Sequence, residues 1–401
     1  MGILGIIVEY NPFHNGHLYH LQTSKELTKC DYTIAVMSGN FVQRGEPAIV
    51  DKWKRTQMAL KAGIDLVIEL PVVYATSTAE NFAYGAVKLL DSLKIVDCIS
   101  FGSEKGDLNE LTKIAEILLE EPIYYRKALK EYLKSGITFA KARELALQKV
   151  INNNEIEKIL QTSNNILAIE YLKSLKKIGS SITPFTIKRK GSLYTSLELK
   201  GEFASASSIR KHIFEKGLEG LEKYIPDFTK EILQSSFEKK QGPVSLEEFS
   251  NILIYLLRNH IPLNHIFDVS EGLENKIYKA SYKTNNVEEL MKLVKSKRYT
   301  ESRIRHILIH LLLNIDKQIF KEFDGPNYIR VLGFNEKGKE MLREIKKKSP
   351  LPIITKVSQY KEKLSNTKMF EKDLFATDIY TLAYKNSSIA GLDFIHPLIK
   401  L

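Results

Sequence analysis

The 401-residue sequence holds only two cysteines, Cys30 and Cys98, and a single tryptophan. Two thiols on separate elements, without metal or redox spacing, exclude a disulfide framework, a zinc module and a dithiol motif as organising devices. No uninterrupted apolar run approaches the roughly 20 residues of a membrane span. The N-terminus lacks a basic n-region and a small-residue cleavage site. A cytoplasmic protein with no membrane partner is expected. Position 6 is Ile6 rather than serine or threonine, which argues against myristoylation after Met1-Gly2. No G-x-G-x-x-G follows the first apolar run, so the dinucleotide fingerprint is absent. Repeats and low-complexity segments are absent as well.

Hydrophobic residues at 43% and charged residues at 27% are ordinary for a globular chain. The length allows two or three domains with sizeable cores. Net charge is +11, made of +4 over residues 1–224 and +7 over the shorter stretch 225–401. The second excess is clustered. Lys292, Lys295, Lys297, Arg298, Arg303 and Arg305 form one group; Lys337, Lys339, Arg343, Lys346, Lys347 and Lys348 form another. Such stripes fit a polyanion partner or the solvated faces of amphipathic helices, and local sequence does not separate the two.

The chain reads best from one stretch near its start. Gly2-Ile3-Leu4-Gly5-Ile6-Ile7-Val8 is long enough for one buried strand and too short for a core helix. Asn11-Pro12 breaks it, because proline lacks an N–H and turns its predecessor away from α. Apolar spacing resumes at Leu18, Leu21 and Leu27, so a helix is expected from about Gly16. His14 and His17 then lie on a strand-to-helix turn, where unpaired backbone N–H groups and the helix dipole attract anions. Gly16 between them would let a phosphate approach without meeting a Cβ. The arrangement suits a nucleoside triphosphate. Two plainer readings stay open: solvated histidines on an ordinary turn, and a metal site from the spacing of His14, His17 and His20. The metal reading lacks a carboxylate or cysteine partner within the helical turn.

Apolar runs at 32–37, 64–70 and 96–101 alternate with helical segments, one capped by Asp51 and ending at Gly63, another covering about 79–92. This interval indicates a parallel sheet wrapped on both faces, with ligands beyond the strand C-termini. His14, His17, the polar loop 38–47 and Gly102 fall on that edge. Residues 107–150 read as two or three helices forming an insertion or lid. Asn152-Asn153-Asn154 is a polar break, Ser163-Asn164-Asn165 a capped helix start, and 183–189 a late strand leading to Gly191. In Ser205-Ala206-Ser207-Ser208-Ile209-Arg210, hydroxyls, helix N–H groups and a guanidinium converge on a second anion site, or on simple N-capping. Beyond Ile225-Pro226, helices are expected at about 245–260, 271–282, 286–297 and 301–315. A small β-α-β unit follows over 329–355, and the 375–384 end is helical. His306 and His310 have metal spacing, but their apolar neighbours favour core or groove positions. The fold class is α/β with a parallel sheet over 1–224, followed by a mostly α-helical, basic half over 225–401.

An H-x-G-H turn after the first strand, Asn164/Asn165 at a late helix start and a Ser-Ser-Ile-Arg helix start resemble, in that order, the nucleotidyltransferase superfamily with the HIGH-type ATP site. Within it, the sequence closely resembles the bacterial tRNA(Met) cytidine acetate ligase family. The matching stretches are Ile7-Val8-Glu9-Tyr10-Asn11-Pro12-Phe13-His14-Asn15-Gly16-His17-Leu18-Tyr19-His20, residues 39–48, 65–71, 101–104, 163–172 and 205–210. Similarity continues through the C-terminal half. One departure is Ala168, where the Asn-x-Leu-Gly pattern has glycine.

The resemblance implies a Rossmann-like nucleotidyltransferase domain over 1–224 that binds ATP through 7–20, Gly102, an Asn of the 164/165 pair and Arg189. It places His14 and His17 on the phosphates, and Arg210 with Ser207 and Ser208 on the β- and γ-groups, so that His14, His17 and Arg210 form the catalytic set. Mg²⁺ would share the charge. The implied reaction activates acetate as acetyl-adenylate and then acetylates N4 of the wobble cytidine of elongator tRNA(Met). Acetate would sit in a small pocket walled by loop 38–47, the basic half would hold tRNA, and no protein partner is expected. A small-metabolite adenylyltransferase of the same superfamily is the alternative, and a non-catalytic RNA-binding protein a more distant one.

Overall fold

Short runs of valine, isoleucine and leucine that are buried on both faces pair into a sheet sandwiched by helices. The computed structural model describes residues 2–153, 155–189, 199, 203–269, 272–296, 298–386 and 389–401; Asn154, Gly191 and Lys297 lie outside them. The strands in chain order are β1 (Ile3–Val8), β2 (Tyr32–Ser38), β3 (Phe41–Val42), β4 (Glu46–Pro47), β5 (Leu66–Leu70), β6 (Cys98–Ser103), β7 (Thr183–Lys188), β8 (Ile329–Phe334), β9 (Ile353–Ile354) and β10 (Ile399–Lys400). The main sheet runs β10-β8-β5-β2-β1-β6-β7, with β9 also on β8, while β3 and β4 form a separate hairpin inside loop 38–47.

Strands β5, β2, β1, β6 and β7 are parallel, as expected. The sheet does not stop there. From the C-terminal half, β8 pairs antiparallel with β5, with a register shift between Val67 and Ile68, and brings β9 and β10 parallel to itself. The β-α-β unit at 329–355 is therefore an extension of the main sheet. It covers β5, which would otherwise offer unpaired backbone groups along its length.

Alternation along the strands sorts the core into two layers. Ile34, Val36, Leu66 and Ile68 face helix Ala79–Ser92, helix Ser163–Ile178 and helices of the C-terminal half. Leu4, Ile6, Ala35, Met37 and Val67 face helix Asn15–Thr28, helix Lys52–Lys61 and helix Ala206–Lys216. Trp53, Met58 and Leu60 point inward, and Asp51 caps the 52–61 helix by accepting from the Lys54 N–H at 2.9 Å. The 107–150 segment forms three helices, Leu108–Glu120, Ile123–Lys134 and Phe139–Ile151. Beyond residue 225 most elements are helical, including Asp227–Glu238, which sequence periodicity did not single out. Among the described residues no helix is long and apolar enough to cross a membrane.

The two cysteines, 68 positions apart, are neighbours in space. Their Sγ atoms lie 3.4 Å apart on the two sides of β1, and burial with the Cys30 contact pushes the Cys98 thiol up to about 12.

Candidate functional site

The H-x-G-H turn closes on itself. His14 is the N-cap of helix Asn15–Thr28, and its Nδ1 accepts the Gly16 N–H at 3.0 Å. His17 Nδ1 accepts the His14 N–H at 3.3 Å. This is a capping box in which two imidazoles replace the usual hydroxyl and carboxylate, and the rings stack with centroids 3.7 Å apart. The Asn15 N–H goes to the Tyr224 carbonyl and the His17 N–H to the His14 carbonyl. The expected free backbone donors are thus already engaged, three within the turn and that of Asn15 with Tyr224. What the turn offers an anion is the pair of Nε2–H groups, because an Nδ1 that accepts a hydrogen bond leaves the proton of neutral imidazole on Nε2. Burial, aided by Arg189 and Arg210, pushes His14 down to about 3; burial and neighbouring His14 and Arg189 hold His17 well below its usual range. Both are neutral donors at pH 7. Gly16 lines the cavity and also makes room for the capping ring, because a Cβ there would lie 2.9 Å from His14 Cε1.

These rings open onto a cavity of about 210 Å³ at the C-terminal edge of β1 and β6. From the stretch 7–20, Ile7, Val8, Glu9, Tyr10, Asn11, His14, Gly16, His17, Tyr19 and His20 line it. Pro12, Phe13, Asn15 and Leu18 do not. Phe13 is buried between Tyr10, His17 and Phe228, Asn15 donates to the Lys223 carbonyl, and Leu18 packs on the core. Gly102 and Arg189 meet on another part of the wall, where a Cβ on Gly102 would approach Arg189 Cγ to 3.3 Å. Burial, then Arg189, pushes His20 on that wall down to about 4. The asparagine pair divides. Asn164 lines the cavity and donates to Glu104 Oε1 at 2.6 Å; Asn165 is buried, donating to Thr162 Oγ1 and accepting from the Lys105 N–H. The serines divide likewise. Ser207 lines the cavity, while Ser208 is buried with its hydroxyl on the Ser205 carbonyl. Ala168 is fully buried in helix packing. Two polar atoms in the lining, Asn11 Nδ2 and His20 Nε2, are buried without a hydrogen-bond partner among the described residues.

Arg210 reaches the cavity from the 206–216 helix with its plane fixed, Nη1 donating to the Asn11 carbonyl at 2.9 Å and Nη2 to Glu46. Glu46 also accepts from Arg305 Nη1 at 3.2 Å, and Arg305 in turn pairs with Glu301. His306 Nε2 lies 2.7 Å from the Gln43 carbonyl, and His310 Nε2 3.2 Å from the Thr76 carbonyl, so both histidines of the 301–312 helix are packing contacts. Loop 38–47 is held between the cavity and the C-terminal half and contributes Gln43 and Arg44 to the lining. Phe82, Phe101, Leu167, Tyr171 and Phe203 complete an apolar wall. These side chains come from four distant parts of the chain: Phe82, Leu167 and Tyr171 from helices, Phe101 from β6 and Phe203 from the segment ahead of the 206–216 helix.

The basic groups of the C-terminal half are partly engaged within the protein. Arg303 donates to the Asp268 carbonyl, Lys295 pairs with Glu301, Lys337 with the Asp31 carbonyl and Lys347 with Glu344.

A family model described as HIGH Nucleotidyl Transferase matches residues 1–392. The chain is 73% identical to a tRNA(Met) cytidine acetate ligase of Caldanaerobacter subterraneus subsp. tengcongensis and 47% identical to one of Clostridium perfringens, in each case over the full length of both chains. Among solved structures it is similar to Thermotoga maritima TmcAL in its apo form, with a TM-score of 0.95, and to the same protein bound with alpha-thio ATP, with a TM-score of 0.92. Both are 41% identical over the whole of each chain. An imidazole capping box facing a cavity at the end of β1 is thus set in a chain that belongs throughout to the tRNA(Met) cytidine acetate ligase family of HIGH-type nucleotidyltransferases.

Proposed function

We propose that this protein is an ATP-dependent ligase that activates acetate as acetyl-adenylate and acetylates N4 of the wobble cytidine of elongator tRNA(Met). The observation that carries this reading is the pair of stacked, neutral imidazoles whose Nε2–H groups face the cavity alongside the anchored Arg210 guanidinium. Acetate attack on the α-phosphorus gathers negative charge on phosphate oxygens, and donors fixed in advance stabilise it without reorganising. His14 and His17 donate to the phosphates; Arg210 and the Ser207 end of the 206–216 helix take the β- and γ-groups. Gly102, Asn164 and Arg189 hold the nucleoside side. Pairing of ATP with a polar cavity also fits the unpartnered Asn11 Nδ2 and His20 Nε2, each of which a bound ligand can satisfy. Asn165 and Ser208 support the site by holding its helix starts.

Mg²⁺ enters this reading as an ion carried on the triphosphate. Among the described residues no three His, Cys, Asp or Glu side chains cluster as a cage, which suits an ion held largely by phosphate oxygens and water. Acetate is small, and Gln43 and Arg44 of loop 38–47 line the cavity on the side assigned to it. The basic C-terminal half supplies the tRNA surface, with residues 1–224 as catalytic unit and 225–401 as RNA-binding unit. A cytoplasmic location accords with a tRNA substrate.

The test is acetate-dependent ATP–pyrophosphate exchange, followed by transfer to tRNA from labelled acetate with ATP or from labelled acetyl-coenzyme A without it. His17→Ala is expected to lower exchange by about 10²-fold or more, the scale of losing one preorganised donor. Near-normal exchange in the folded variant removes the phosphate role, and acetylcytidine formed only from the thioester removes the ligase reading.

A further inference from the structure

The second step needs a group that the first does not. The N4 amine of cytidine is a weak nucleophile, and its attack on the acetyl carbon goes forward only if a proton leaves nitrogen. We propose that Glu9 is the general base of acetyl transfer. Its Oε2 takes the N4 proton as the N4–carbon bond forms and the acyl C–O bond to phosphate breaks, the bonding pair departing on AMP. The proton passes to water when the products leave.

The assignment rests on the reading above and on what the cavity holds. Glu9 is the only carboxylate among the described lining residues. Its Oε1 accepts the Gln43 N–H at 2.8 Å, which fixes the carboxyl against loop 38–47, and among the described residues Oε2 accepts no hydrogen bond. The histidines of the lining are placed differently. His14 and His17 use Nδ1 to accept backbone N–H groups and present only protonated Nε2. His20 lies at the Gly102–Arg189 wall. With phosphates at the histidine end and nucleoside at that wall, the Glu9–Gln43–Arg44 side is where the acetyl group and the incoming amine meet.

A carboxylate facing a cavity built for anions opposes ligand binding, and capping one loop N–H does not require a charge. An amide would cap as well. Burial makes this carboxyl more basic than a free one, and neighbouring Glu46 adds to that, while the Gln43 N–H, Arg44 and Arg210 act the other way. Among the described residues, Tyr171 from the 163–178 helix and Arg55, whose Nη1 donates to the Glu9 carbonyl, are further ionisable groups that act on it. A base tuned upward in this way is a better proton acceptor in the transition state.

Glu9→Gln separates the roles, because the amide oxygen keeps the Gln43 contact while the acceptor for a proton is gone. Two rates are read on the full chain: acetate-dependent exchange without tRNA, and single-turnover transfer to tRNA(Met) from adenylate formed in place. Transfer is expected to fall about 10²-fold relative to exchange, and the acid limb of the transfer pH profile to vanish. Glu9→Asp should restore part of the transfer together with that limb. Equal losses in both rates would overturn the proposal in favour of a role in adenylation, and no loss in either would reduce Glu9 to a loop cap. If Glu9→Gln does not fold, Glu9→Asp carries the test: a transfer-to-exchange ratio equal to wild type overturns the proposal, and a lowered ratio supports it. Absence of acetate-dependent exchange in the wild-type chain would instead fail the ligase reading itself.

Discussion

Two clusters of arginine and carboxylate join the N-terminal and C-terminal halves, and they differ in one respect that decides what each does. At the sheet, Lys52 and Glu69 meet Arg330 and Asp393: Lys52 Nζ lies 3.0 Å from Glu69 and 2.8 Å from Asp393, and Arg330 Nε lies 3.0 Å from Glu69. No side chain in this group is more than 4% exposed. Glu69 and Arg330 are also cross-strand partners on β5 and β8. At loop 38–47, Glu46 bridges Arg210 and Arg305 with side chains 14–26% exposed, beside the cavity. Similar groups are walled off in the first case and within reach of ligand and water in the second. The buried cluster specifies how the halves pair; the accessible one orients a guanidinium for use.

The largest effect expected from this contrast is on stability. Asp393→Ala leaves Lys52 and Arg330 facing one carboxylate in a dry interior, and removing one partner of a buried ion pair costs about 3–5 kcal/mol. Denaturant unfolding should show that loss. A loss below about 1 kcal/mol would place the cluster in the same class as surface pairs.

Glu46→Gln should do the reverse. Stability is expected to change by less than about 1 kcal/mol, while Arg210 and Arg305 are left to share one uncharged acceptor in place of a carboxylate, and ATP affinity falls by about tenfold, or about 1.4 kcal/mol. Titration calorimetry with ATP, alongside a melting curve, checks both halves of the statement. A destabilised variant that binds ATP normally would erase the distinction between the clusters.

The smallest effect lies at the solvated extreme of the series. Replacing Lys346, Lys347 and Lys348 by Ala, on the exposed last turn of helix Glu336–Lys348, should weaken tRNA binding by about fivefold at moderate salt and flatten its salt dependence. Exchange without tRNA should not change. Equal affinities over a salt titration would leave these lysines as a solvated helix face.

The contrast also separates what a sequence discloses from what it withholds. The strand, the turn at His14-Asn15-Gly16-His17 and the helix starts at Ser163 and Ser205 rest on local signals, apolar period and capping chemistry, and the folded chain brings their side chains to one edge. Local signals do not resolve helical phase at a start. Asn164 and Asn165, or Ser207 and Ser208, look equivalent on paper, yet one of each pair faces the cavity and the other braces the turn. Gly16 carries a second constraint that periodicity leaves unassigned, since the ring of His14 occupies the space a Cβ would take. The aromatic wall, the Glu46 bridge and the contact between Cys30 and Cys98 depend on pairings across tens to hundreds of residues, and no short-range pattern encodes them.

The antiparallel seam of β5 and β8 carries a cost in time. Leu66 pairs with Phe334, so a strand emerging early from the ribosome waits for 268 further residues before its partner exists. At about 5–20 residues per second that is roughly 13–54 s of synthesis. During this interval β5 can already pair with β2, and β2 with β1, and the growing chain presents an uncovered β5 edge with buried charges, Lys52 and Glu69, not yet matched by Arg330 and Asp393. The nascent protein therefore holds an adhesive strand and an incomplete charge cluster for most of its translation. Slow synthesis, or release of a chain ending before residue 329, exposes both to neighbouring polypeptides, and this single seam becomes the place where chaperone capture and aggregation compete.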